Sequence, residues 1–161
     1  MFARIDHVGL VAHTIDEARA ILGDKLGLVI DKDRSRWPEG SYFAPEQTHN
    51  FFFQVGEGET VVEVLIPTAG ATSGTARYLA KRGPGLHHIC YACIDVHEEA
   101  ERLRAEGLEE IALPRAQDGR RTVAFFHPRS MNGVLTELVP VRDRPAVAAG
   151  RQAGSRRQSS P

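Results

Sequence analysis

The chain contains one pattern twice, and this internal duplication limits its fold more than any other feature. A strand-like segment that holds His7 matches one that holds His88, 81 positions later. A second strand-like segment that holds Glu63 matches one that holds Glu137, 74 positions later. A duplicated unit with a histidine in its first strand and a glutamate in its last can bring two imidazoles and two carboxylates together at a pseudo-twofold axis. The sequence therefore predicts two copies of one unit that meet at a shared site.

Each copy opens with a strand and a helix. Thr14 and Asp95 are predicted N-caps, each followed three positions later by a glutamate, and Gly27 and Gly107 end the two helices. Three strand-like segments separated by turn residues follow each helix, at about 27–32, 48–55 and 60–66 in the first copy and about 108–113, 121–127 and 134–139 in the second. We predict an α+β fold of two tandem βαβββ modules that form a curved mixed sheet around a metal-binding cleft, with the helices on the outer face.

The domain organisation follows from the same segments. We expect a single domain over residues 1–140, built from modules at about 3–68 and 84–140 that are joined by a short helix at 73–82 with Ser73 as its cap. The residues 34–47, with two prolines, are expected to be an irregular surface excursion. The residues 142–161, rich in Arg, Ala, Gly, Ser and Gln, are expected to form a disordered tail.

Composition and charge argue against two classes of partner, namely nucleic acids and membranes. The 161 residues are 42% hydrophobic and 25% charged, which is ordinary for a globular protein. The net charge is −1, and because five Arg and one Asp lie in 141–161, residues 1–140 are acidic. An acidic folded part argues against nucleic acid as a partner. No apolar run is long enough for a membrane span and the N-terminal residues lack the apolar region of a signal peptide, so we expect no membrane association and a cytoplasmic location.

Side-chain alternation predicts which way the four ligand candidates point. His7 shares a face of its strand with Gly9 and Val11, and the helix should cover the opposite, more apolar face. His88 has small neighbours in the same way, so both histidines are expected on the floor of the cleft. Glu63 and Glu137 each lie between two apolar neighbours on one face, where an unpartnered carboxylate is costly to bury. Two matched His–Glu pairs indicate a divalent metal site, the alternative being four residues on a solvated sheet face.

Three other candidates are weaker. Cys90 and Cys93 form a C-x-x-C pattern inside a strand, where residues three apart point to opposite faces, so we expect two buried small side chains and not a redox or zinc motif. By the same alternation His87 is expected to point away from the cleft.

Around the two histidines and the two glutamates, the chain resembles the vicinal oxygen chelate superfamily and, within it, the methylmalonyl-CoA epimerases. The similarity spans about residues 4–140. It is carried by five segments and by the linking helix, namely Ile5–Gly9, Glu63–Pro67, Gly85–Ile89, Phe126–Ser130, Gly133–Leu138 and Tyr78–Gly83.

The resemblance implies a function and a cofactor. In that family a divalent ion such as Co2+, Mn2+, Ni2+ or Zn2+ is held by residues that match His7, His88 and Glu137, and a fourth ligand falls at Glu63. The implied reaction is epimerisation at C2 of a 2-carboxyacyl-CoA such as methylmalonyl-CoA, by α-proton abstraction through a metal-stabilised enolate. The implied partners are a small acyl-CoA substrate and a second copy of the chain in a homodimer.

The proton-transfer groups are less uniform than the ligands. We expect Glu137 to be one catalytic acid/base. Some epimerases carry a glutamate where this chain has Asn50, and an amide cannot act as a general base. We therefore expect Glu63 to be the second catalytic group, with His49 as the alternative, and we expect His49 and Asn50 to contact the substrate.

Two other functions remain open at this point. Glyoxalase I uses the same order of His, Glu, His and Glu on a glutathione hemithioacetal, although the segments around His88 and His127 fit it less well. A non-catalytic binder of the bleomycin-resistance kind shares the fold, but such proteins generally lack the four ligands.

Overall fold

The two predicted modules lie side by side in one sheet. The structure, a computed structural model, describes residues 1–113 and 118–142. The first module comprises β1 (Phe2–Val11), α1 (Ile15–Leu22), β2 (Val29–Ile30), α2 (Lys32–Ser35), β3 (Ser41–Phe43), β4 (Thr48–Gln54) and β5 (Val61–Pro67). Helix α3 (Gly74–Arg82) leads to the second, which comprises β6 (Gly85–Cys93), α4 (Val96–Ala105), β7 (Glu110–Ile111), β8 (Ala124–Phe126) and β9 (Leu135–Pro140). Apart from Arg142, the predicted tail lies outside the described residues.

The order of the strands reflects the duplication. Over the described residues the sheet runs β2-β4-β5-β1-β6-β9-β8-β7, with β3 paired to β4 beside β2. The central strands β1 and β6 are antiparallel to each other, while β1 pairs in parallel with β5 and β6 in parallel with β9. Each module therefore contributes the same arrangement on either side of the β1–β6 ladder. The predicted α+β class and mixed sheet are confirmed.

The three longer helices begin where their capping residues predict. The side chains of Thr14, Ser73 and Asp95 accept hydrogen bonds from the backbone N–H groups three residues later, at 3.2, 3.2 and 2.9 Å. These bonds satisfy N–H groups that have no partner within the first helical turn. The caps therefore fix the first turn of each helix.

Two apolar cores lie between the helices and the sheet. Helix α1 packs through Leu22 against a cluster that includes Phe51, Phe53 and Val64. Helix α4 packs through Ala100 and Leu103 against Cys93, Phe126 and Leu138 in the second module. Helices α1 and α4 therefore cover one face of the sheet, as predicted, and the opposite face carries the cleft. No helix in the described ranges is long and apolar enough to cross a membrane.

The segment 34–47 is more ordered than predicted. It includes the end of α2, where the Asp31 side chain accepts from the N–H of Arg34 at 2.9 Å, and all of β3, which pairs with β4. The Ser35 hydroxyl accepts from the N–H of Phe52 at 2.9 Å, and the Trp37 ring lies 6.1 Å from that of Phe51. The expectation of an irregular excursion was wrong because short polar caps and one aromatic anchor hold this segment against β4. It forms a wall of the cleft.

Candidate metal centre

Four buried side chains from four different strands meet on the cleft face of the sheet. His7 comes from β1, His88 from β6, Glu63 from β5 and Glu137 from β9, and each offers one donor atom within 4.8 Å of the other three. Their exposed fractions are between 2% and 9%. The structure therefore brings together all four side chains that were predicted as metal ligands.

The distances between the donor atoms fit a single small cation. The two Nε2 atoms lie 3.0 Å apart, and each lies 3.0 Å from Oε2 of Glu137. Oε2 of Glu63 lies 3.1 Å from Nε2 of His7 and 3.3 Å from Nε2 of His88. Two donors at about 2.1 Å from one cation and at right angles to each other lie about 3.0 Å apart. Two imidazole nitrogens and two carboxylate oxygens also form a suitable donor set for a divalent transition metal.

The electrostatics of the site also favour a cation. Burial alone lowers the pKa of His7, but the carboxylate of Glu63 and the hydrogen bond to Asp6 raise that pKa well above its ordinary value. Burial opposes the same change at His88, whose pKa is raised to about 9 by hydrogen bonds to Glu137 and Glu63. The site therefore attracts positive charge. Two protonated rings with Nε2 atoms 3.0 Å apart would repel each other, whereas one cation between them would satisfy all four groups.

Both glutamates are held as carboxylates. Burial raises the pKa of Glu63 and of Glu137, but in each case the two histidines outweigh burial and the pKa lies below its ordinary value. Ionised carboxylates are the form that binds metals.

Strand register makes the two halves of the site alike. Phe52 on β4 lies opposite Glu63, and Phe125 on β8 lies opposite Glu137. The Phe52 ring meets the His7 ring edge-on at 6.5 Å, and the Phe125 ring meets the His88 ring edge-on at 6.3 Å. Each half thus supplies a histidine, a glutamate and a phenylalanine. The two phenylalanines were missed in the sequence, where their similar separation from the two glutamates could have identified them.

A glycine makes room for one of the candidate ligands. A Cβ atom built on Gly9 would lie 2.1 Å from Cε1 of His88, which is far inside any real contact. Gly9 on β1 and His88 on β6 lie directly opposite each other in the register of the two strands. The absence of a side chain at Gly9 is therefore required for the observed position of the His88 ring.

The residue before each histidine also lies at the site. The β1–β6 register shifts by one residue at Asp6 and again at His87. Oδ1 of Asp6 lies 3.0 Å from Nδ1 of His7, and Nδ1 of His87 lies 3.1 Å from Nδ1 of His88. Both residues line the cavity. The expectation that His87 points away was wrong because the irregular register interrupts the strict alternation of side chains.

The structure separates the two predicted substrate-contacting residues on β4. Asn50 lines the cavity, and its Nδ2 donates to Oε1 of Glu63 at 2.9 Å. His49 is not among the lining residues and follows the alternation of Phe51 and Phe53, on the helix-covered face. The structure therefore does not bring His49 to the site, although the alternation that excludes it is readable from the sequence. Cys90 and Cys93 are both free and buried, with Cys93 in the core under α4.

The four candidate ligands lie in a large, open-mouthed cavity. Its volume is about 910 Å³. Apolar side chains near the ligands include Leu65, Leu135 and Val139, while the segment 31–46 adds polar and charged side chains. One of these is Arg34, whose guanidinium carbon lies 3.8 Å above the Phe52 ring. Such a cavity can accept a ligand of several tens of atoms with one polar end on the donor cluster.

Comparison with known proteins finds a matching family model and similar sequences along most of the chain. The model of the glyoxalase/bleomycin resistance protein/dioxygenase superfamily matches residues 6–125. The uncharacterized protein YqjC of Bacillus subtilis (strain 168) is 34% identical over 137 residues, which cover 84% of this chain and 90% of that protein. The ethylmalonyl-CoA/methylmalonyl-CoA epimerase of Cereibacter sphaeroides is 28% identical over 144 residues, which cover 88% of this chain and all of that protein.

A solved structure has a similar fold over most of the chain. A variant of the Streptomyces coelicolor methylmalonyl-CoA epimerase, in complex with 2-nitronate-propionyl-CoA, matches with a TM-score of 0.73 and 25% identity. The match covers 89% of this chain and 100% of that chain.

Proposed function

Because the chain belongs to the glyoxalase/bleomycin resistance protein/dioxygenase superfamily, which is the vicinal oxygen chelate superfamily, we propose that it is a metal-dependent epimerase. The substrate would be a 2-carboxyacyl-CoA such as methylmalonyl-CoA, inverted at its α-carbon. The observation that carries the proposal is the convergence of two histidines and two glutamates at the base of a cavity of about 910 Å³.

The relatives support this choice of reaction within the superfamily. An ethylmalonyl-CoA/methylmalonyl-CoA epimerase matches along its full length, and a methylmalonyl-CoA epimerase shares the fold while holding an acyl-CoA analogue. The superfamily also includes glyoxalases and bleomycin resistance proteins, and the full-length match to an epimerase favours epimerisation over these alternatives.

Four residues would hold the cation. His7 and His88 would bind it through Nε2, and Glu63 and Glu137 through Oε2, with Co2+, Mn2+, Ni2+ or Zn2+ as candidates. The chemistry that a divalent cation supplies when bound is Lewis-acid polarisation of carbonyl oxygens, which makes an adjacent C–H bond more acidic. The burial of all four side chains would strengthen that polarisation, because charge interactions are screened less away from bulk solvent.

Inversion requires proton exchange on both faces of the α-carbon. Two acid/base groups on opposite sides of the substrate can do this. Glu63 and Glu137 come from different modules, related by the pseudo-twofold arrangement of β5 and β9. Oε1 of Glu63 accepts a hydrogen bond from Asn50, and the described residues give Glu137 no equivalent hydrogen bond. We therefore propose Glu137, the less restrained carboxylate, as one of the two groups. Glu63 is the proposed second group, with Asn50 holding its carboxylate in place.

The cavity walls would receive the remainder of the substrate. The apolar side chains of Leu65, Phe125 and Leu135 would surround the alkyl substituent, and Asn50 would face the acyl group. A wall built from both apolar and polar residues suits a ligand with a short alkyl group and polar oxygens.

Deuterium wash-in at the α-carbon tests the proposal directly. The protein, stripped of metal and then supplied with Co2+, Mn2+, Ni2+ or Zn2+ in turn, is incubated in deuterated water with a panel of 2-carboxyacyl-CoAs. We expect metal-dependent exchange and inversion for at least one substrate. Turnover of methylglyoxal with glutathione and no exchange on any acyl-CoA would instead favour a glyoxalase, and binding without turnover of either would favour a non-catalytic binder.

Two further expectations accompany the proposal. A homodimer is expected from the resemblance and is tested by the molar mass in solution. A cytoplasmic location is tested by fractionation of the producing cells.

A further inference from the structure

Two of the three irregularities in the central ladder lie at equivalent places in the duplicated units. In β1 the register passes from Ile5 to His7 while β6 advances by one residue, so that Asp6 is the extra residue. In β6 the register passes from His88 to Leu86 while β1 advances by one residue, so that His87 is the extra residue. Each bulged residue immediately precedes a histidine of the metal cluster. A bulge turns an additional side chain towards the same face as its neighbour.

Both bulged residues contact the same atom of the histidine that follows. Asp6 and His87 approach Nδ1 of His7 and of His88 at 3.0 and 3.1 Å, on the side of each ring opposite the donor atom Nε2. A carboxylate can only accept, so His7 Nδ1 carries a proton and donates it to Asp6. In a neutral imidazole this leaves Nε2 with its lone pair directed at the cluster.

We infer that Asp6 and His87 are positioning residues for the cation, one in each module, which fix the ring orientation and the tautomer of His7 and His88. Outer hydrogen bonds of this kind also increase the donor strength of the histidine that binds the metal. At His88 the same result follows when Nδ1 carries the proton and donates it to His87. The inference rests on the cation site of the proposed function, but not on the identity of the reaction.

The two positioning residues are themselves held in place. Asp6 lies within 3.4 Å of the guanidinium of Arg34, which stacks on Phe52. The His87 ring lies edge-on to the Tyr78 ring at 5.0 Å, and the Tyr78 hydroxyl donates to the carbonyl of Leu86 at 2.6 Å. Both supports come from outside the ladder, from α2 and α3. The positions of Asp6 and His87 therefore do not depend on the cation alone.

The two contacts differ in chemistry, so Asp6 and His87 should contribute unequally to cation binding. Asp6 offers a carboxylate to Nδ1 of His7, whereas His87 offers a second imidazole ring to Nδ1 of His88. A carboxylate polarises an imidazole more strongly than a second imidazole does. Removal of the Asp6 side chain should therefore weaken cation binding more than removal of the His87 ring.

The test is the affinity of the intact protein for Co2+, measured by competition with a chelator, together with the visible absorption spectrum of the bound ion. We expect Asp6→Ala to raise the dissociation constant by about 10- to 100-fold and to change the spectrum, and His87→Phe to raise it by a smaller factor. Asp6→Asn, which retains an acceptor oxygen, should recover part of the affinity. Ala3→Asn is the matched control, because Ala3 is a third extra residue in the same ladder and is exposed.

Several outcomes overturn the inference. They are an unchanged dissociation constant and spectrum in folded Asp6→Ala, an Asp6→Asn variant as weak as Asp6→Ala, or a wild-type protein that does not bind Co2+. Thermal unfolding of the metal-free variants shows whether each is folded. The proposed function can fail separately. If the protein binds Co2+ with this dependence on Asp6 but exchanges no α-proton, the positioning role of Asp6 stands and the epimerase function is wrong.

Discussion

Gly9 and His88 share one space across the central ladder, since a Cβ atom at Gly9 would lie 2.1 Å from the His88 ring. Gly9→Ala must therefore displace a proposed ligand or distort β1. We expect turnover of the acyl-CoA substrate to fall by about 100-fold, the usual effect of a displacement of about 1 Å in a reacting centre. The bound metal per chain should also fall on dialysis.

The control for this prediction is Gly58→Ala, where the nearest atom to an added Cβ is a carbonyl oxygen at 3.7 Å. Equal turnover and metal content in Gly9→Ala and Gly58→Ala would show that the close approach does not matter for the site.

Glu137→Gln tests the proposed acid/base group. The amide keeps the shape of the side chain but cannot accept a proton from carbon, so we expect a folded, partly metallated protein whose epimerase turnover is reduced by at least about 100-fold. Turnover is measured by deuterium incorporation, and Glu98→Gln on the exposed surface of α4 is the control. Near-normal exchange in Glu137→Gln would remove this residue from the proton-transfer role.

Asn50→Ala tests the restraint on Glu63. The substitution removes the donor 2.9 Å from Oε1 and leaves a buried carboxylate oxygen without that hydrogen bond. We expect the metal-free protein to lose about 1–3 kcal/mol of its free energy of unfolding, measured with urea. Gln54→Ala, on the same strand but at a less buried position, should cost less. A loss no larger than that of Gln54→Ala would show that the Asn50–Glu63 hydrogen bond contributes little.

The cap of α4 predicts a pH dependence of stability. The backbone N–H of Glu98 holds the pKa of Asp95 below its ordinary value, and Arg120 acts in the same direction. Because the folded state favours the ionised form, this contribution is present above a pH of about 4 and is lost as the pH falls through the pKa of the folded state.

Asp95→Asn keeps a capping oxygen but loses the charge. We expect the variant to be less stable than the wild type at neutral pH and the difference to shrink towards about pH 3, as read from urea midpoints across the range. Asp24→Asn, in an exposed turn, is the control. A difference that stays constant with pH would contradict the assigned role of the Asp95 charge.

The positions of the four candidate ligands could be predicted from the sequence because duplication and alternation act together. His7 and His88 fell on the cleft face because their neighbours Gly9 and Cys90 are small, and the two matching glutamates followed from the repeat. The three helix caps were equally readable, since a side-chain acceptor followed by an apolar periodic segment is a local signal.

The remainder depends on interactions between distant segments. The extra residues Asp6 and His87 break the alternation, and nothing in either strand's composition marks a bulge. The order in 34–47 depends on the contact of Trp37 with Phe51 and on the bond between Ser35 and Phe52, which only the folded chain brings together. In contrast, the placement of His49 away from the cleft follows from simple alternation along β4.

The β1–β6 ladder has a consequence for how such a centre could arise. One module alone supplies a single imidazole and a single carboxylate, so half of the gene encodes half of a coordination sphere. Two identical half-length chains that associate through the equivalent of this ladder would rebuild all four donors across a true symmetry axis. If the two modules are produced as separate fragments, divided between β5 and α3, we therefore expect them to bind a divalent cation at this site only after they are mixed.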